Sequence, residues 1–112
     1  MHRRLPLKSP FPKAVYIQNA KIYRLLANPK RLEILNFIKD REATVEEMSN
    51  LLGIRPANTS QHLTVLRRLK VVTFRRNGRN IYYKIANPRI VEPCRIFKEI
   101  REEAKKSRNV AT

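Results

Sequence analysis

The residues best suited to chemistry in this 112-residue chain are basic and polar, and they concentrate between positions 55 and 84. That window contains eight Lys and Arg side chains and no Asp or Glu. Its Asn, Gln, Ser, Thr and Tyr side chains are types that hydrogen-bond to phosphates and to base edges. Because an ordinary solvated surface mixes both signs of charge, the window predicts contact with a polyanion, and nucleic acid is the leading candidate.

The positive charge of the whole chain supports the same partner. Lys and Arg number 25 against 9 Asp and Glu, so the net charge is +16, and half of it lies in the 55–84 window. So many positive charges on a small protein repel one another, and binding an anionic partner relieves this repulsion. Further basic residues at both ends of the chain leave a second hypothesis open, an architectural or weakly specific nucleic-acid binder.

Enzymatic and metal chemistry find little support in the sequence. There is no Ser, His and Asp set and no glycine-rich phosphate loop, so we expect no catalysis and no cofactor. One Cys and two His cannot supply a four-ligand zinc site. Cys94 is a possible thiol sensor, through an intermolecular disulfide or a reversible adduct. We favour the simpler interpretation, a small buried hydrophobe.

The first half of the chain predicts two helices behind a basic arm. Residues 1–13 carry three prolines and are expected to form a flexible arm. The sequence shows neither a signal peptide at its start nor a membrane-spanning stretch elsewhere, so we expect a cytoplasmic protein. Apolar residues at helical spacing predict a helix over residues 14–26. Asn28 and Pro29 are typical of the N-cap and first residue of a second helix.

The next two helices form the predicted helix-turn-helix. Thr44 and Glu47 make a capping box, and Gly53 supplies the left-handed stop of that helix. Pro56 opens the following helix, predicted over residues 56–69 and ending at Leu69. Only a short Gly-containing turn separates the two, which is typical of helix-turn-helix motifs.

The outer face of the helix over residues 56–69 is the predicted DNA-reading surface. Thr59, Leu63 and Leu66 share the core face, so the other side points outward. Gln can bond adenine, and Arg reads guanine or grips phosphate. His62 lies closer to the core stripe and is expected to pack or to bond backbone rather than to bind metal. The predicted DNA-binding residues here are Arg55, Ala57, Asn58, Ser60, Gln61, Thr64 and Arg68.

A β-hairpin follows this helix. Two β-prone runs, residues 71–76 and 81–86, flank Asn77 and Gly78, and Asn-Gly is the strongest short hairpin signal. We expect the wing over residues 75–80 to contact the phosphate backbone or a minor groove. The predicted fold is mainly α with a small β-hairpin, a winged helix-turn-helix of about five helices and a two-stranded wing. The DNA-binding residues predicted in the wing are Arg75, Arg76, Arg79 and Asn80.

The last segment is predicted to be helical, with two alternatives for its start. Pro93 either follows a single turn and opens the main helix, or kinks a longer helix. Beyond it Ile96, Phe97 and Ile100 form an apolar stripe. Residues 107–112 are expected to be a flexible tail, so the folded domain spans residues 14–106.

Three stretches together resemble the ArsR/SmtB family of dimeric winged-helix transcriptional repressors, over roughly residues 16–103. Residues 26–35 (LANPKRLEIL) resemble the opening helix signature, residues 59–67 (TSQHLTVLR) the recognition helix and residues 75–83 (RRNGRNIYY) the wing. The resemblance implies a sequence-specific repressor whose two recognition helices lie about 34 Å apart on double-stranded DNA. It also implies a homodimer joined through the first and last helices, which carry more apolar surface than a small monomer can cover. The expected interface residues are Val15, Ile22, Ile96, Phe97 and Ile100.

The chain departs from the family pattern at the metal-sensing positions. Residues 47–51 contain no cysteine pair, and the last helix offers Glu92, Glu99, Glu102 and Glu103 but no His. We therefore expect no metal. In addition, Arg55 stands where many relatives have a Ser cap, and Lys70 where a Gly is usual.

Overall fold

A computed structural model describes the backbone of residues 5–111 and the side chains of residues 5–108. Residues 1–4 of the predicted arm and Thr112 of the predicted tail lie outside these limits, and residues 5–12 form neither helix nor strand. The winged helix-turn-helix prediction is confirmed. The elements are α1 Lys13–Leu26, α2 Pro29–Phe37, α3 Val45–Leu52, α4 Pro56–Arg68, β1 Val72–Asn77, β2 Asn80–Ile85, a 3₁₀ turn Pro88–Val91 and α5 Glu92–Ala111.

Side-chain hydrogen bonds cap the starts of α2 and α3, as the sequence predicts. The side chain of Asn28 accepts from the backbone N–H groups of Lys30 and Arg31, which satisfies free donors at the start of α2. Thr44 and Glu47 form the complete capping box of α3. Gly53 has a φ of 66°, the left-handed conformation that ends this helix.

The exit from α4 is strained at Lys70. This residue has a φ of 59°, a conformation that costs a side chain other than Gly about 1–2 kcal/mol. Two backbone hydrogen bonds hold the turn: the Lys70 N–H donates to Arg67 O at 2.9 Å, and the Val71 N–H donates to Leu66 O at 2.9 Å. The turn after α4 is therefore formed with Lys70, rather than a glycine, in the left-handed conformation.

The core lies between α2, α3, α4 and the base of the hairpin. Ile34, Leu35, Met48, Leu63 and Leu66 are almost completely buried there. Thr59 is also buried, which confirms the predicted core face of α4, and its hydroxyl accepts a hydrogen bond from Ser49 at 2.8 Å. This hydrogen bond joins α4 to α3 inside the core. The opposite face of α4 therefore points to solvent.

The hairpin is tied to the helices along its outer edge. β1 and β2 are antiparallel, with Val72 opposite Ile85 and Asn77 opposite Asn80. Ala43, just before α3, exchanges both backbone hydrogen bonds with Tyr83 of β2, at 3.0 and 2.8 Å. The two strands of the wing are thus joined to the segment before α3 by this one antiparallel bridge.

The C-terminal segment resolves one alternative and corrects one prediction. A single 3₁₀ turn precedes the main helix, and Pro93 falls in the first turn of α5, where a missing N–H is tolerated. The backbone is helical through Ala111, so the tail predicted from residue 107 is wrong over that range. Residues 107–111 contain no Gly or Pro that would end a helix. No helix in the described range is long and apolar enough to span a membrane.

Candidate nucleic-acid interface

The outer face of α4 is open to solvent, as predicted. Because Thr59, Leu63 and Leu66 occupy the opposite face, the 13-residue helix presents a continuous polar surface. The hydroxyl of Thr64 donates to Ser60 O at 2.9 Å. The exposed side chain therefore has its hydroxyl oxygen, as an acceptor, and its methyl group left for a partner. All the predicted DNA-binding residues of this region are exposed: Arg55, Ala57, Asn58, Ser60, Gln61, Thr64 and Arg68.

A cleft of about 430 Å³ runs beside this face of α4. One wall comes from α4 and includes Gln61, Thr64 and Arg68, while α2 contributes Arg31. Arg31 was not among the residues predicted for the interface. Its only signal was a place in the opening-helix stretch, where a basic residue is typical of ordinary helix surface.

Arg31 reaches the cleft because it is bonded to His62. Its Nε–H donates to His62 Nδ1 at 3.2 Å, and its Nη1 donates to Leu25 O at 3.2 Å. Burial lowers the pKa of His62, and the neighbouring charges of Arg31 and Lys30 lower it further. His62 was predicted to pack or to bond backbone rather than to bind metal; its side chain is half-buried, and its hydrogen-bond partner is the side chain of Arg31. Within the described residues no three His, Cys, Asp or Glu side chains could hold a metal ion together.

The tip of the wing is formed by Gly78 and Arg79, between the paired residues Asn77 and Asn80. Gly78 has a φ of 64°, which favours glycine at the first loop position. Arg76, Arg79 and Asn80, which were predicted to bind DNA, are exposed, as such a contact requires. Neither arginine forms an ion pair with any residue that the structure describes.

Arg75 differs from its neighbours in the wing. Its Nη2 lies 2.7 Å from Oε2 of Glu42, its Nε–H donates to both oxygens of that carboxylate, and its guanidinium lies 4.7 Å from the ring centre of Tyr82. The hydrogen bond from Arg75 lowers the pKa of Glu42 and raises the pKa of the guanidinium. The predicted phosphate-binding side chain is thus already engaged across the sheet.

Three of the five apolar residues predicted for dimerisation are exposed, and all three lie on α5. On α5 the exposed fractions are 41% for Ile96 and 54% for both Phe97 and Ile100. Val15 and Ile22 on α1 are half-buried, and Tyr23 beside them is 64% exposed. Large apolar side chains are thus left uncovered on both terminal helices.

Cys94 lies where α5 packs on α2. It is half-buried, and the amide Nδ2 of Asn36 donates to its Sγ at 3.5 Å. The thiol also lines an apolar cavity of about 210 Å³ with Leu26, Leu32 and Phe97 among its other walls. Its role as sensor or packing residue stays a prediction.

Comparison with protein families gives a match from the N-cap of α2 to the start of β1. Residues 28–73 match the model described as "Bacterial regulatory protein, arsR family". The uncharacterized HTH-type transcriptional regulator Rv0081 of Mycobacterium tuberculosis is 37% identical over 87 residues, which cover 77% of this chain and 76% of that protein. Its crystal structure aligns with a TM-score of 0.72 at 32% identity, over 90% of this chain and 98% of the other.

Two further relatives are named for DNA binding and repression. The homodimeric winged helix-turn-helix DNA-binding domain Mb0332 from Mycobacterium bovis aligns with a TM-score of 0.72 at 27% identity, over 89% of this chain and 93% of that one. The HTH-type transcriptional repressor SmtB of Mycobacterium tuberculosis is 30% identical over 79 residues, 70% of this chain and 58% of the relative.

Proposed function

This chain belongs to the ArsR family of bacterial regulatory proteins, and from that premise we propose that it is a homodimeric, sequence-specific repressor of transcription that binds double-stranded DNA. Like its relatives, it is a transcriptional regulator and not an enzyme. In the proposal α4 enters the major groove, and the wing lies on the adjacent backbone. The site of action is the cytoplasm, where a bacterial chromosome lies.

The observation that carries the proposal is the acid-free outer face of α4. Gln61 and Thr64 stand at its centre with Arg68 one turn further on, and all three are exposed. Gln61 has the bidentate geometry to read adenine, while Arg68 grips phosphate or guanine. Asn58 and Ser60 on the shoulders complete the reading surface, Ala57 allows close approach, and Arg55 stands at the helix start near the backbone.

The wing is proposed to position the protein on the DNA rather than to recognise the base sequence. Arg76, Arg79 and Asn80 are exposed and unpaired with acids among the described residues, so they are free to bind phosphates. Arg75 takes a different part in the proposal, because Glu42 already occupies its guanidinium. We assign it to holding the wing at a fixed angle.

The proposed dimer joins α1 and α5 to the same helices of a second copy. Exposed Ile96, Phe97 and Ile100 on α5 provide the apolar surface, with Val15 and Ile22 of α1 at its margin. The Mb0332 domain is described as homodimeric, which supports the same assembly here. A two-fold axis would place the two α4 helices about 34 Å apart, one turn of DNA.

Regulation in this proposal involves no metal and no thiol chemistry. The residues of α3 and α5 at the family's metal-sensing positions include neither a cysteine pair nor a histidine. Cys94 is assigned to packing, since Asn36 and apolar neighbours surround its half-buried side chain.

Binding-site selection from random duplexes at physiological salt tests the proposed function. We expect enrichment of an inverted repeat. If the dimer neutralises six to ten phosphates, its affinity should also fall by about 10³–10⁵ between about 50 and 200 mM salt. Salt-sensitive binding without an enriched sequence would instead favour the architectural alternative, and a flat salt response would contradict both.

A further inference from the structure

The hydrogen bond between Arg31 and His62 determines where the imidazole carries its proton. Arg31 Nε–H donates to Nδ1, so Nδ1 is an acceptor and has no proton of its own. The neutral ring must then carry its proton on Nε2. Arg31 is itself held by Leu25 O at the end of α1, so the orientation of the ring is fixed from outside α4.

The proton on Nε2 has no partner among the residues that the structure describes. No hydrogen bond joins His62 Nε2 to any described residue, and none of the buried side-chain nitrogens or oxygens in that range lacks a partner. Nε2 must therefore reach solvent. His62 lines the cleft beside α4 together with Gln61 and Arg68, and we place its free N–H donor on the same surface as the proposed reading residues.

The charges around the cleft favour an anionic acceptor. Arg31 and Arg68 both line it, and Lys30 adds positive potential near the ring. A phosphate oxygen fits this field and accepts hydrogen bonds from neutral donors. A neutral imidazole also avoids adding a third positive charge beside the two guanidinium groups.

We infer that His62 is a further DNA-contacting residue, whose Nε2–H donates to a phosphate oxygen of the bound duplex, and that Arg31 is the positioning residue that fixes this tautomer. The inference rests on the proposed function. It assigns to the interface a histidine that the helical wheel places toward the core, and it links α2 to the DNA.

Four variants of the full-length protein test the contact on the preferred duplex from the selection. His62→Ala removes the donor and should weaken binding about tenfold. His62→Gln keeps an N–H donor at similar reach and should retain most of the affinity, whereas His62→Asn, whose amide matches only the Nδ1 position, should behave like the alanine variant. Because the contact is to phosphate, sites of different sequence should lose affinity alike. Gln61→Ala is the control for base reading.

The positioning role of Arg31 has its own readout. In ¹⁵N NMR spectra of the histidine ring, the wild type should show a protonated Nε2 whose signal shifts on addition of the duplex. Arg31→Met should lose the single tautomer, and His62→Ala in that background should cause little further loss of affinity. Circular dichroism of each variant checks that it is folded.

The failures of the two claims are distinguishable. If the wild type binds no duplex, the proposed function fails before His62 is tested. If the wild type and His62→Ala bind equally while Gln61→Ala binds more weakly, the function stands and the role of His62 is refuted. Protonation of Nδ1 in the folded protein would also overturn the inference.

Discussion

Arg75 of the wing forms an ion pair with Glu42 through two of its nitrogens. Glu42 directly precedes Ala43, the residue that bridges to β2. One guanidinium nitrogen of Arg75 lies 2.7 Å from Oε2 of the carboxylate, and its Nε–H donates to the same oxygen at 2.8 Å. The side chain passes over the ring of Tyr82 on its way. A basic residue in the most positive part of the chain is thereby paired with an acidic side chain of the same molecule.

Arg75 and Arg79 should therefore differ in the salt dependence of DNA binding. Arg79→Ala should reduce the slope of log affinity against log salt by about 0.9, the value expected for one lost phosphate contact. Arg75→Ala removes the same charge but should leave the slope close to that of the wild type. Fluorescence anisotropy over a range of salt concentrations measures both, and equal slopes for the two variants would refute the distinction.

Gln61 should determine base preference without dominating affinity. Gln61→Ala should lower the discrimination at one base pair of each half-site by about 1–3 kcal/mol, because a bidentate contact to a base edge is lost. Arg79→Ala should instead weaken all sequences equally. Affinities for a panel of single-base variants of the preferred site provide the comparison. Identical profiles for the two variants would show that reading and positioning are wrongly assigned.

The exposed stripe on α5 should be required for pairing but not for folding. Phe97→Glu places a charge on the proposed interface, and we expect a folded monomer with greatly reduced DNA affinity. Sedimentation velocity and circular dichroism measure assembly and folding. Lys105→Gln changes the net charge by the same single unit on the polar side of α5 and should remain dimeric. A dimeric Phe97→Glu variant would place the interface elsewhere.

His62 should make the protein less stable in mild acid. Its pKa in the folded state lies below the value of about 6.5 for an unfolded chain, so the unfolded state binds more protons in the interval between the two. The free energy of unfolding should therefore be greatest above about pH 6.5, fall as the pH drops from there to the folded pKa, and change no further below it. Urea unfolding between about pH 5 and 8 should show this decline in the wild type but not in His62→Gln. Parallel curves would contradict it.

Lys70 offers a direct test of backbone strain. Lys70→Gly should be more stable than Lys70→Ala by about 1 kcal/mol, since both lose the same charge but only glycine adopts a positive φ without penalty. Urea unfolding of the two variants measures the difference. Equal stabilities would mean that the turn after α4 relaxes in the alanine variant.

Local chemistry explains why so much of the fold follows from the sequence. The caps at Asn28 and Thr44 and the stop at Gly53 each depend on residues within four positions, and all three are found as predicted. The alternation of buried and exposed residues on α4 follows from helical geometry alone. These signals also identify the polar face proposed to read DNA.

The contacts that modify the site arise from distant parts of the chain. Glu42 is 33 positions from Arg75, and Arg31 is 31 positions from His62. No periodicity or capping rule connects such pairs, so the sequence predicted that Arg75 binds DNA and that His62 packs or bonds backbone. Only the pairing of Ala43 with Tyr83 and the crossing of α2 past α4 bring these residues together.

The most direct test of the proposed DNA-binding surface is an NMR titration of the ¹⁵N-labelled protein with its preferred duplex. We expect the amide signals of residues 55–68 and 76–80 to shift together, saturating at one duplex per two chains. Shifts confined to the N-terminal arm and α5, with the α4 signals unchanged, would contradict it.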